Sequence, residues 1–111
     1  MEWPAPTADE RELLLGFLQH KREEAIATAA GLDEDQLRWS PDGGLLPIIG
    51  ILNHLAHVEW RWIEGRYSQV PFPEREEEFK VGRERTGPAV ITAYRAQAAR
   101  TDEIVRAAWA R

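Results

Sequence analysis

The sequence of 111 residues contains no cysteine, so it has no disulfide bond, no thiolate metal ligand and no thiolate nucleophile. Histidine is scarce as well, with three copies, which leaves few imidazoles for a metal site. A chain without cysteine is typical of the reducing cytoplasm, and residues 1–6 lack the basic and apolar segments of a secretory signal peptide. We therefore predict a cytoplasmic protein.

Long apolar runs and an excess of basic residues are also missing. No run reaches the roughly 18 apolar residues that a membrane-spanning helix needs, so we expect no membrane contact. Lys and Arg number 14 against 19 Asp and Glu, and the formal net charge of -5 argues against a nucleic-acid partner. The sequence also lacks a Gly-rich phosphate loop and a nucleophile elbow. What remains is one small domain, with 43% apolar residues to form its core.

Three long segments with apolar residues at helical spacing predict an all-α fold. The first covers about residues 8–30, with Thr7 as N-cap, Glu10 closing a capping box and Gly31 at the C-terminal end. A capped turn of helix is predicted at residues 32–37. On a helical wheel, Arg22 lies near the middle of the core-facing side, whereas His20 lies on a polar, solvated side. The apolar members of the core-facing side are Leu14, Leu15, Leu18, Ala25 and Ala29.

The central helix holds the densest apolar run of the chain. It is predicted to begin near Leu45 or Pro47 and to end near Arg66. Its core direction is set by Ile48, Ile51, Leu52, Leu55 and Trp62. A third helix is predicted from residues 86–88, with Pro88 at its first position, to the end of the chain. Its inward positions are Ile91, Tyr94, Ala98, Thr101, Val105 and Ala108. We predict a single domain over residues 1–111, with a loose arm at 1–6 and a long surface linker at 67–87.

Two charged residues on different helices are predicted to face the core. Glu59 lies within about 40° of the apolar direction of the central helix, and Arg22 faces inward from the first. Because an unpaired buried charge is costly, we predict that the two form a bidentate or water-bridged ion pair. The alternative is that Glu59 acts as a general base beside a metal-bound water.

The histidines of the central helix are the candidates for chemistry. His54 lies about 100° from the apolar direction, at the edge of the buried face. It is either a metal ligand or acid/base group, or a helix-flank histidine that is hydrogen-bonded to a neighbour. His57 lies further round and is predicted to be a surface or rim residue, with a metal-ligand role as the alternative. A zinc site needs three or four protein ligands, and the sequence has no Glu-x-x-His motif of a paired-carboxylate di-iron bundle.

Several segments resemble the DinB-like superfamily, and in particular its actinobacterial mini-circle-protein branch. They are Ala-Asp-Glu-Arg at residues 8–11, the helix at 13–22, Gly-Leu-Asp-Glu-Asp-Gln-Leu-Arg at 31–38, the run at 45–59 that ends in His-Leu-Ala-His-Val-Glu, and Ala-Tyr-Arg-Ala at 93–96. The resemblance covers nearly the whole chain. It implies a four-helix, up-down-down-up bundle among relatives that are metalloenzymes, some of which transfer low-molecular-weight thiols or isomerise thiol-linked substrates.

The family's metal is usually held by one His of the second helix and by two more ligands, often His, of the fourth. His54 matches the first position, and residues 1–111 offer no match to the other two or to the fourth helix. The resemblance therefore implies three long helices, with the fourth missing or supplied by a partner chain. We expect a homodimer, an unknown small-molecule substrate, and a divalent metal such as zinc or nickel only if another chain completes the site. We name no catalytic or cofactor-binding residue. The alternative is a non-catalytic module that dimerises or binds a partner helix.

Overall fold

The computed structural model describes residues 9–40, 46–65, 79 and 81–109, and these contain helices and no strand. In chain order the elements are α1 (Glu10–Ala27), α2 (Glu34–Leu37), α3 (Ile48–Glu59), a π-helical segment (Trp60–Gly65) that continues α3, and α4 (Gly87–Trp109). The all-α class and its agreement with a DinB-like bundle are confirmed. None of the helices in the described ranges is long and apolar enough to cross a membrane. The predicted arm at 1–6 and most of the predicted linker at 67–87 lie outside those ranges.

The first helix begins later than predicted because Asp9 caps it. The Asp9 carboxylate accepts hydrogen bonds from the backbone N–H groups of Arg11 and Glu12, at 3.0 and 3.4 Å. The predicted N-cap, Thr7, lies outside the described residues. At the other end α1 stops at Ala27, and the chain turns through to Gly31, whose φ of 77° lies in the left-handed region that favours glycine.

The predicted core face of α1 is partly wrong. Leu15 and Ala29 are buried as expected, but Leu14 is 56% exposed and Leu18 36% exposed. The buried residues of the predicted face are Leu15, Arg22 and Ala29, because α4 is the main neighbour of α1 and a single neighbouring helix covers a narrow stripe. His20 was predicted to be solvated and is in fact buried, with Nε2 2.9 Å from the Glu24 carboxylate.

The central helix reaches Gly65, close to the predicted end, but its last six residues wind as a π-helix that periodicity did not predict. Ile49 and Leu52 are buried in the core, whereas two residues of the predicted apolar direction, Ile51 and Trp62, are exposed. Of the other predicted residues, Leu52 belongs to the core, and Ile48 and Leu55 pack against it, so the predicted direction is partly right. Six buried residues form its centre: Ala29, Leu37, Ile49, Leu52, Val90 and Tyr94.

The short helix α2 fixes the start of α4. The predicted capped turn is confirmed, and its cap is a capping box between Asp33 and Gln36, which the sequence analysis did not name. The Glu34 carboxylate then accepts from the backbone N–H of Gly87, at 3.1 and 2.8 Å, and so places a negative charge at the N-terminus of α4. The third predicted helix is confirmed from this point to Trp109.

Candidate functional site

An ion cluster joins the three long helices at one level of the bundle. Arg22, 2% exposed, donates from Nε and Nη2 to the two carboxylate oxygens of Glu59, at 2.8 and 2.6 Å. Its Nη1 donates to Asp102 of α4 and to Gln19 of α1, each at 3.0 Å. The predicted bidentate pair is confirmed. Asp102 was not predicted, although it follows the buried position Thr101 on α4 and so lies at the edge of that stripe.

The electrostatics of the cluster keep Arg22 charged. Burial alone would lower the pKa of Arg22, but the hydrogen bonds and charges of Glu59 and Asp102 outweigh it and raise the pKa above the ordinary value. Burial, followed by the charge of Glu59, raises the pKa of the neighbouring Tyr94 to about 12. Because both oxygens of Glu59 accept from one guanidinium, this geometry suits a structural ion pair better than a general base.

The histidine predicted as a metal ligand lies on another side of α3. The His54 ring is partly buried and stacks on Phe79, with ring centroids 4.3 Å apart and planes inclined by 27°. No three His, Asp or Glu residues in the described parts of the chain lie close enough together to hold a metal ion. The described residues of one chain therefore do not by themselves fit a bound metal.

A polar cavity lies between α3 and α4, and we call it the α3–α4 pocket. Its volume is about 240 Å³, and it is lined by Asn53, Ala56, His57, Trp60, Arg85, Ala93, Gln97 and Arg100. His57, predicted as a rim residue, lines this pocket, whereas His54 does not.

The polar side chains of the pocket are linked to one another. His57 Nδ1 lies 2.8 Å from the backbone carbonyl oxygen of Asn53, and Arg85 donates from Nη1 to the Asn53 side-chain oxygen at 2.8 Å. Arg100 donates to Glu64 and to Gln97, each at 2.9 Å. These links hold two guanidinium groups and an imidazole at the wall of one cavity.

Sequence reasoning missed Arg85, Gln97 and Arg100. Arg85 lies in the connection before α4, where no helical period marks a direction, and it is held there because Arg38 donates to the backbone carbonyls of Val81 and Arg85. The inward position of Gln97 could have been predicted, since it lies three residues after the predicted core position Tyr94 on the same helix.

Comparison with known proteins gives one family match, and it spans most of the helices described above. A family model described as mycothiol-S-transferase matches residues 13–110. No curated protein and no solved structure matches the chain. The family match includes most of α1 and all of α2, α3 and α4, and with them the ion cluster, His54 and the α3–α4 pocket. The chain therefore belongs to the mycothiol-S-transferase family, within the DinB-like superfamily that its sequence resembles.

Proposed function

We propose that the protein takes part in the transfer of a small thiol, mycothiol in the description of its family, to a small-molecule substrate. The observation that carries this proposal is the family match over residues 13–110. That match includes His54, the residue that the DinB-like resemblance aligns with a metal ligand. The cytoplasmic location predicted from the sequence is part of the same proposal.

Among the described residues, His54 is the only one that we propose as a metal ligand. Since the described residues of one chain do not fit a metal ion, we propose that His54 contributes one imidazole to a site that residues beyond the described ones, including those of a second copy, complete. The His54 residue is only partly buried. Zinc or nickel is the expected metal.

Metal content tests this proposal without reference to activity. Tag-free protein is equilibrated with zinc or nickel, desalted and analysed by inductively coupled plasma mass spectrometry, with His54→Ala and the matched variant His57→Gln beside it. We expect bound metal in the parent protein and in His57→Gln, and its loss in His54→Ala. Parent protein without metal, or equal retention by all three proteins, would exclude His54 as a ligand.

A second candidate function is a helical interaction module, and exposed apolar side chains of α1 favour it. Leu14, Phe17 and Leu18 stand at helical spacing and are all exposed. On this proposal a second copy covers them, so light scattering detects a dimer whose population rises with concentration. Leu14→Glu is expected to abolish the dimer, while Ala27→Glu, at an exposed position on the other side of the same helix, is expected to preserve it. A dimer without metal supports the module, and a dimer that needs His54 and metal supports the shared metal site.

A further inference from the structure

The α3–α4 pocket carries a positive charge that the described residues around it do not balance. Arg100 is paired with Glu64, but within the described ranges Arg85 has no carboxylate partner, and its one side-chain hydrogen bond goes to the neutral amide of Asn53. The lining groups and Glu64 together therefore carry one net positive charge when His57 is neutral. Acidic residues outnumber basic ones in this protein, 19 to 14, and yet Arg85 beside this cavity pairs with no carboxylate among the described residues.

A buried donor without an acceptor lines the same cavity. Gln97 is 3% exposed, and its oxygen accepts from Arg100, which orients the amide. The amide nitrogen Nε2 is left with no hydrogen-bond partner among the described residues. Leaving such a donor unsatisfied costs about 1–3 kcal/mol, so an acceptor that entered the pocket would recover part of this loss.

The remaining walls supply a weaker polar group and an apolar surface. His57 donates from Nδ1 to a backbone carbonyl when its ring is neutral, so Nε2 is then the acceptor nitrogen of the ring. Ala56, Ala93 and the indole of Trp60 line the pocket beside these groups. At about 240 Å³ the cavity is smaller than most pockets for drug-sized ligands, and it suits a small organic molecule.

We propose that the α3–α4 pocket binds a small organic acid through its carboxylate. Arg85 supplies the charge and the planar fork that matches a carboxylate, Gln97 supplies a further donor, and Trp60 with the two alanines contacts the apolar part. One net positive charge matches a singly charged carboxylate better than a doubly charged phosphate. The α3–α4 pocket does not include His54. Carboxylate binding can therefore be tested separately from thiol transfer, and a negative result for one leaves the other untouched.

The test uses 3-fluorobenzoate as the probe, with binding followed by ¹⁹F NMR titration. We expect saturable binding to the parent protein and no saturable binding of the uncharged methyl ester. Arg85→Met is expected to weaken binding by about tenfold, the equivalent of one charged hydrogen bond, and Gln97→Met to weaken it several-fold. Arg85→Lys, which keeps the charge and loses the fork, is expected to bind with intermediate affinity.

The matched control is Arg95→Met, an arginine of α4 that pairs with Glu23 outside this pocket and whose loss should leave the affinity unchanged. Circular dichroism of each variant confirms that it is folded. The proposal is overturned if the parent protein does not bind the probe, if it binds the methyl ester equally, or if Arg85→Met binds as tightly as the parent. It is also overturned if inorganic phosphate displaces the probe at lower concentration than acetate does.

Discussion

Arg22 of α1 and Glu59 at the end of α3 are 37 positions apart in the chain and make two hydrogen bonds, Nε to Oε2 at 2.8 Å and Nη2 to Oε1 at 2.6 Å. Asp102 adds a contact from α4 at 3.0 Å, so one guanidinium joins all three long helices. Since Arg22 is almost completely buried, its charge is stable only because these partners are present. The stability of the bundle therefore depends on the whole cluster.

Removing the cation of the cluster alone is expected to destabilise the protein strongly. Arg22→Met leaves two inward-facing carboxylates without their partner, and we expect a loss of about 3–5 kcal/mol in the free energy of unfolding. Urea denaturation followed by circular dichroism measures it. Arg95→Met is the matched control, because the Arg95–Glu23 pair is exposed and should contribute less than about 1 kcal/mol. Equal losses in the two variants would contradict the role of the buried cluster.

Removing the anions as well is expected to restore much of the stability. The combined variant Arg22→Met, Glu59→Leu, Asp102→Asn has no unpaired charge left at this level of the bundle, and apolar replacement of buried ion pairs is often neutral or stabilising. We expect the triple variant to be more stable than Arg22→Met alone by about 2 kcal/mol or more. The same urea titration tests this. Losses that simply add across the three substitutions would show that the groups are not coupled.

Alkaline pH is expected to destabilise the protein through Tyr94. Its pKa is raised from 10.0 to about 12 by burial, so the folded state holds the phenol proton more tightly than the unfolded state. The resulting stability is complete below the unfolded pKa of 10 and is lost as the pH rises to about 12, by an amount on the order of 2 kcal/mol.

Tyr94→Phe removes this dependence and serves as its own control. Thermal unfolding of both proteins between about pH 8 and pH 12 should give a constant difference below pH 10 and a difference that shifts in favour of Tyr94→Phe above it. Lysine and arginine titration affects both proteins alike and cancels in the comparison. Parallel curves over the whole range would contradict a raised pKa for Tyr94.

At position 50 of α3 we expect glycine to give a more stable protein than alanine, which is the reverse of the usual order in a helix interior. Alanine normally stabilises a helix interior by about 1 kcal/mol over glycine, but a Cβ at position 50 would collide with the backbone carbonyl of Phe79. We expect Gly50→Ala to destabilise the protein by about 1–3 kcal/mol and to disturb the stacking of Phe79 on His54. Ala99→Gly, at an exposed position of α4, calibrates the helix preference alone. A Gly50→Ala variant that is more stable than the parent would rule out the close approach.

Much of the fold was predictable because its signals are local. The capping box at Asp33, the left-handed Gly31 and the start of α4 at Gly87–Pro88 follow from residue types within a few positions. The inward direction of Arg22 and Glu59 followed from the helical period, and the cost of a buried charge then predicted their pairing. The N-cap was misassigned because Thr7 and Asp9 are both good caps and the sequence ranks them poorly.

The candidate site was less predictable, because its residues come together only through packing. The helical wheel predicted that Leu14 and Leu18 face the core, but it does not say how many neighbouring helices cover a face. Arg85 reaches the α3–α4 pocket from a connection that has no period, and it meets Gln97 and Arg100 there only because α3 packs on α4. The role of His54 as a metal ligand stays a prediction.

The sequence by itself determined the helical segments, the absence of thiol chemistry on the protein's own side chains and the need for Arg22 to find an anion, since each depends on composition or on a local period. The tertiary structure alone decided that Asp102 joins Glu59 around Arg22 and that His20 is buried. It also decided that Arg85 and the Gln97 amide nitrogen line one cavity, where neither the carboxylate nor the acceptor they need is found among the described residues. These relationships join residues that are distant in the chain, and their distances depend on how helices pack rather than on any one segment.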